Sequence, residues 1–205
     1  IKQISNDGHE IACHSYYHDL IINQTITKVK KELLKAKEIL ENASNQQIKG
    51  FRAPSFAINK QSPEQYHIVE QLFEYDSSFF CNKYTDIKKF KCKMNLNKLK
   101  ILPIFSSFIG GNSLRLGGSY LKIFPKIYLT IMINNARKEG FEPHLYLHPY
   151  EFDKSNEFAL NNTDLKTLGT RKSIYWQLRQ KQWLDFNNSS TKKKLSSLIT
   201  NDPLK

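Results

Sequence analysis

The sequence predicts an α/β protein built on a parallel sheet or an α/β barrel, because amphipathic helices alternate with short apolar strands along the chain. The placement of its reactive polar residues agrees: His14, His18, Arg52, Asp76 and His148 each follow a short apolar or alternating stretch. In such folds chemistry gathers where strands end. A chain of 205 residues, 40% hydrophobic, is long enough for one sizeable core.

The elements can be justified in order. Ile1 to Gly8 reads like the last turns of a helix closed by a glycine, and with Ile1 in place of Met we expect an upstream piece that this sequence lacks. Between Thr25 and Asn42, residues Ile26, Val29, Leu33, Ala36 and Leu40 recur at spacings of three and four, an apolar stripe on a lysine-rich helix. Ile48 to Arg52 alternates and stops before Pro54, which predicts a short buried strand. Ser62, Pro63 and Gln65 supply a cap, a first-turn proline and a capping-box partner for a helix from Pro63 to about Glu74. A further helix over 127–138, closed by Gly140, feeds an apolar strand over His144–Leu147. Residues 187–205 read as a polar, lysine-rich, mobile tail after a domain spanning 1–186.

Charge and cysteine content narrow the function classes. The formal charge is +12, yet only five of 31 basic residues are Arg and the lysines are dispersed. Nucleic-acid readers concentrate Arg forks in patches, so solvated lysine faces are the expectation and nucleic acid is not an expected partner. An anionic glycan, or peripheral contact with an anionic membrane surface, fits the same charge. Three cysteines without C-x-x-C spacing argue against a disulfide framework or a cysteine-rich zinc module and favour a reducing, cytoplasmic compartment.

The strongest local signal is Gly8-His9-Glu10-Ile11-Ala12-Cys13-His14-Ser15-Tyr16-Tyr17-His18. Two imidazoles four residues apart in a loop can converge on one divalent ion. Taken alone, the spacing suits a surface helix face better than a metal pair. The string as a whole resembles the H-S/T-x-x-H metal motif of the carbohydrate esterase family 4, or NodB-homology, polysaccharide deacetylases, with the usual preceding G-H-E-I. Further motifs follow in that family's order: Gly50-Phe51-Arg52-Ala53-Pro54 resembles R-x-P, Tyr75-Asp76-Ser77-Ser78 the aspartate motif, and Leu145-Tyr146-Leu147-His148-Pro149-Tyr150-Glu151 the terminal L-x-H motif. Asp76-Ser77-Ser78, the Gly117-Gly118-Ser119-Tyr120 stretch leading to Pro125, and His148-Pro149-Tyr150-Glu151 resemble the exopolysaccharide-associated branch. Tyr150 departs from that branch's commoner Trp, and Lys122 stands where an Arg is expected.

The resemblance implies a distorted (β/α) barrel of the NodB-homology type lacking its first strands, and a set of roles. His14 and His18 would bind a divalent metal, zinc by preference, together with an aspartate. That aspartate and the general base belong to a T-F-D-D motif upstream of the histidines, absent from this sequence; neither Asp7 nor Asp19 replaces it. His148 would be the general acid, Arg52 would orient the base, Asp76 would tune His148 through a hydrogen bond, and the Ser55 N–H would serve the oxyanion and so bind substrate. Cys13 would be a buried small side chain facing away from His14. The implied reaction is removal of acetyl groups, N-acetyl above all, from an amino-sugar polysaccharide or lipid-linked oligosaccharide. The alternatives are a carbohydrate-binding pseudoenzyme without the base and, on charge alone, an acid-polymer or nucleic-acid binding module.

Overall fold

The computed structural model describes residues 1–109, 112–152, 157 and 159–200. The chain divides into two compact units, Ile1–Ile104 and Phe105–Lys205.

The first unit opens on a short helix α1 (Lys2–Asn6), after which Gly8 turns the chain at φ 86°. The predicted lysine-rich helix is α2 (Ile26–Ser44); Thr25 caps it by accepting from the Lys28 N–H, and Asn45 ends it in the left-handed region. Its stripe Val29, Leu33 and Ala36 is buried. The strand β1 is shorter than predicted, Gly50–Phe51. Helix α3 (Glu64–Leu72) starts after Pro63 without a side-chain cap, because the Ser62 hydroxyl accepts instead from the Asn59 amide. Then come β2 (Tyr75–Asp76), β3 (Phe80–Cys81), α4 (Tyr84–Lys93) and β4 (Lys100–Ile101).

β1, β2 and β4 form a parallel sheet in that order, with Gly50 opposite Tyr75 and Tyr75 opposite Lys100. Parallel neighbours need a crossover, and α3 and α4 provide it. Cys13 joins the other side of β1 as an isolated parallel bridge to Phe51. The βα order is as predicted, and among the described residues these parallel strands form an open ladder of two-residue pieces. Aromatic contacts fill the space beneath the helices: Phe51 stacks on Phe73 at 5.3 Å, and Phe90 meets Tyr66 at 4.9 Å and Phe79 at 4.5 Å.

The second unit begins with the antiparallel pair of β5 (Ile104–Ile109) and β6 (Asn112–Arg115). Helices α5 (Ser119–Ile123) and α6 (Lys126–Lys138) follow. Gly140, at φ 81°, closes α6 with Phe141 N–H reaching back to the Ala136 carbonyl. The strand expected at His144–Leu147 is reduced to a single parallel bridge between Tyr146 and Gly117. The approach there is too close for a side chain, since a Cβ on Gly117 would lie 2.3 Å from the Tyr146 carbonyl oxygen. Helices α7 (Asn162–Thr167) and α8 (Thr170–Gln180) run into a π-helical turn, Lys181–Asp185, and a last helix α9 (Asn188–Thr200).

The expected mobile tail is thus helical from Asn188, and the reason is its lysines and small polar residues. Lys194 Nζ donates to the carbonyls of Leu121, Lys122 and Phe124 at 3.0, 3.1 and 2.9 Å, capping α5, while Thr191 is buried. The carbonyls at the C-terminal end of α5 are thus satisfied from another helix. Among the described residues no helix is long and apolar enough to cross a membrane.

Gly50 is the tightest point of the sheet: a Cβ there would stand 2.1 Å from the Tyr75 ring. Gly50→Ala should therefore cost about 1–3 kcal/mol by overpacking, seen as a lower denaturant midpoint at unchanged m-value. A double-mutant cycle with Tyr75→Ala should show coupling between the two positions; strictly additive effects would mean that the Tyr75 ring is not the obstacle.

Candidate active site

The site in the first unit grows out of the Cys13–β1 ladder. Cys13 N–H donates to the Gly50 carbonyl at 2.8 Å and Arg52 N–H to the Cys13 carbonyl at 2.9 Å. Cys13 itself is buried, and burial pushes its thiol up to about 11, so it behaves as a small apolar side chain. The next residue, His14, leaves the ladder with its Nδ1 2.7 Å from the Arg52 carbonyl oxygen. A carbonyl only accepts, so Nδ1 carries the proton and Nε2 keeps its lone pair, the arrangement that suits an imidazole for metal binding. The His18 ring stands 5.0 Å from that of His14, edge to face.

A strained turn brings the two rings together. Ser15 and His18 have φ of 63° and 62°, and the His18 N–H donates to Ser15 Oγ at 3.0 Å. Between them the N–H groups of Tyr16 and Tyr17 both donate to Oε1 of Glu32, each at 3.1 Å. Glu32 is a buried carboxylate on α2. Sequence reasoning missed it, although its place within the stripe Val29, Leu33 and Ala36 was a signal: a charge on a buried face needs partners.

Arg52 follows β1 directly. Its Nε donates to the Ser77 carbonyl at 3.2 Å, its Nη2 to Ser77 Oγ at 2.8 Å, and its guanidinium lies 5.6 Å from the centre of the Phe56 ring. Ser55 is exposed, and it and Phe56 both adopt left-handed backbone, φ 52° and 58°. Asp76, at the end of β2, is fully buried; Ser78 donates to it through its hydroxyl at 2.5 Å and its N–H at 3.1 Å, while Ser78 Oγ accepts from the Ala53 N–H at 2.8 Å. The sheet therefore assembles His14, Arg52 and Asp76 at the C-terminal ends of adjacent strands, with Asp76 anchoring the Arg52-Ala53-Pro54 loop through Ser78.

In the second unit His148 caps a 3-10 turn, Pro149–Glu151. Its Nδ1 lies 3.3 Å from Oε1 of Glu151, and its N–H donates to Oε2 at 3.4 Å. Glu151 is 1% exposed while the His148 side chain is 45% exposed. Within the second unit the carboxylate on the His148 ring is Glu151, a partner the sequence analysis did not name; the i, i+3 spacing within His148-Pro149-Tyr150-Glu151 was the available signal. Tyr150 stacks on His148 at 4.8 Å, and Tyr146 meets it edge-on at 6.0 Å. Lys122 is buried, donates to the Trp183 carbonyl, and sits 5.9 Å from the centre of the Tyr150 ring.

The donor chemistry of His14 and His18 fits a divalent ion of the zinc type in kind. It does not complete a site: among the described residues no group of three or more His, Cys, Asp or Glu side chains is placed to hold a metal.

Residues 1–70 match the polysaccharide deacetylase family, and residues 77–202 match a family described as a domain of unknown function, DUF3473. The chain therefore belongs to the DUF3473 family, and the segment ahead of that domain is similar to the polysaccharide deacetylase family. A candidate polysaccharide deacetylase of Mycobacterium smegmatis has a similar structure, with a TM-score of 0.50 at 20% identity over 96% of this chain and 66% of that one. It shows the fold as the α/β type of the carbohydrate esterase family 4 deacetylases. A wild-type family 4 pseudoenzyme from Bacillus anthracis aligns at 15% identity with a TM-score of 0.39, over 85% of this chain and 45% of that one. The chain thus spans less than two thirds of the structures it resembles, and under half of the pseudoenzyme. No curated protein sequence matches it.

Burial, against the opposing hydrogen bonds from Ser78 and the charges of Lys60 and Arg52, pushes Asp76 from 3.8 up to about 6. An acid with its folded pKa raised binds its proton more tightly when folded, so its contribution is most favourable below the unfolded pKa and declines as pH rises through about 6. Between those limits the loss should be on the order of a few kcal/mol. Asp76→Asn should flatten the decline in denaturant midpoint over that window; an unchanged slope would show that Asp76 does not titrate there.

Proposed function

We propose that the protein containing this chain is a metal-dependent hydrolase that removes acetyl groups, chiefly N-acetyl, from an amino-sugar polysaccharide or lipid-linked oligosaccharide of the exopolysaccharide class. The observation that carries this reading is the His14 hydrogen bond to the Arg52 carbonyl, which fixes the tautomer and leaves Nε2 as a ligand beside His18. A zinc ion held by these histidines and a further carboxylate would lower the pKa of a bound water and polarise the acetyl carbonyl.

The chain's own residues supply the remaining work. Arg52, gripped by Ser77, orients the base, and the N–H of Ser55, an exposed residue in a left-handed turn, meets the developing oxyanion. His148 protonates the departing nitrogen through Nε2, because Nδ1 is engaged by Glu151, whose carboxylate also supports the imidazolium. A second reading is a carbohydrate-binding pseudoenzyme without the base.

Acetate release from an N-acetylated amino-sugar oligomer, together with zinc content, separates the two. The full-length gene product should release acetate, His14→Ala and His18→Ala should lose bound zinc and activity together, and His148→Ala should cut the rate by roughly two to four orders of magnitude with zinc retained. Unchanged zinc stoichiometry in both histidine variants would remove the metal assignment. A full-length protein that binds the oligomer and releases no acetate would establish the second reading.

A further inference from the structure

The second unit holds a cavity of about 450 Å³ whose walls, among the described residues, include Tyr150, Trp176 and Trp183 with Leu160, Gln180 and Leu184. That volume is in the range of pockets that take a small ligand. The rings form facets: Trp183 lies 6.3 Å from Tyr150 at 35° and 5.8 Å from Trp176 at 65°. The cavity adjoins the candidate acid directly, because the Tyr150 ring also stacks on His148 at 4.8 Å, 13° from parallel.

Several contacts hold the facets in place. Trp183 belongs to the π-helical turn Lys181–Asp185, a geometry that is rare and recurs at functional sites. The Arg179 guanidinium lies 4.5 Å from the centre of its ring, and its carbonyl accepts from buried Lys122. Gln180, the polar member of the wall, pairs with the Leu160 backbone through both its amide oxygen and its amide nitrogen. The wall therefore offers ring faces, and its amide is already engaged.

We infer that this cavity is a subsite for one pyranose ring of the acetylated glycan, which rests its C–H face on Tyr150 and the two tryptophans beside His148. Aromatic faces carry partial negative charge and pyranose C–H bonds partial positive, so the match is electrostatic as well as apolar. Inclined flat facets suit a rigid ring better than a flexible hydrocarbon chain. With ring faces as its main surface and its one described amide held in place by the Leu160 backbone, the subsite should tolerate different sugars and act as a platform that positions the chain. This inference rests on the proposed role of His148 in a deacetylase.

The test uses an intrinsic reporter. Trp176 and Trp183 are the two tryptophans of the sequence, so the emission of this chain reports on this cavity. Titration with N-acetylglucosamine tetramer should shift that emission to saturation, Tyr150→Leu should weaken binding about tenfold, and Tyr150→Phe should restore it. Both variants are checked for native circular dichroism, and Trp176→Phe serves as a second probe with Trp183 alone emitting. No saturable change up to about 10 mM sugar, the affinity scale of the weakest specific complexes, would overturn the subsite. A response confined to an apolar probe such as geraniol would overturn it in favour of a hydrocarbon pocket. Saturable sugar binding in a protein whose full-length form releases no acetate would leave the subsite standing and remove the deacetylase reading. Acetate release with the same KM in wild type and Tyr150→Leu would do the reverse.

Discussion

The short parallel ladder between Cys13 and β1 is the constraint on which the candidate metal site depends. Two backbone hydrogen bonds, Cys13 to Gly50 and Arg52 to Cys13, fix the register. That register alone sets His14 next to the Arg52 carbonyl and turns the Cys13 side chain into the core. Tyr75 secures the same ladder from the far side, lying over Gly50 while its hydroxyl donates to Glu10 at 2.9 Å. A one-residue slip would exchange the faces of Cys13 and His14, burying an imidazole and exposing a thiol. The histidine's chemistry is therefore inherited from main-chain pairing.

Backbone strain marks the same two loops. The non-glycine residues with positive φ among the described residues are Ser15, His18, Asn45, Ser55, Phe56, Asn95 and Asn187. Asparagine visits that region at little cost. The remaining four all lie in the His14–His18 turn and the turn after Arg52. Such conformations cost energy and persist only where surrounding contacts over-determine them. Glu32 supplies those contacts for the first turn through two N–H groups, and the Asp76–Ser78–Ala53 chain supplies them for the second. Each anchor is buried, where a hydrogen bond is worth most and an unmade one costs most.

Helix positions were legible in the sequence because they rest on a period spread over many residues, so α2 and α6 fall within two residues of expectation at either end. Strands were legible only as places. β1 and β2 are two residues long, too short for alternation to set their limits, and the His144–Leu147 segment pairs at one residue because Gly117 admits the Tyr146 backbone against itself. Site residues that act through a motif could be named from the chain; those that act by holding a motif could not. Glu32 is 15 residues beyond Tyr17 and reaches its N–H by packing of α2, and Trp183 meets Tyr150 and Trp176 only once the π-helical turn has formed. Glu151 was visible all along, three residues from His148, and was passed over because its own burial is not written in the sequence.

The positive charge also changes meaning once the structure is drawn. The chain carries 31 basic against 19 acidic residues, yet several lysines spend their ammonium groups on main-chain carbonyls: Lys37 on Ile48, Lys60 on Phe56, Lys122 on Trp183 and Lys194 on three carbonyls around the end of α5. A long side chain with three donors can close a helix end or a loop that short capping residues cannot reach. Burial lowers the pKa of Lys194, so the carbonyls it caps must offset part of a desolvation cost. In the second unit this device places Lys122 under Tyr150 and against Trp183, so that the cation steadies the wall of the aromatic cavity from behind. An excess of lysine read as surface charge is, at these positions, part of the scaffold, with its ammonium donors committed to main-chain carbonyls.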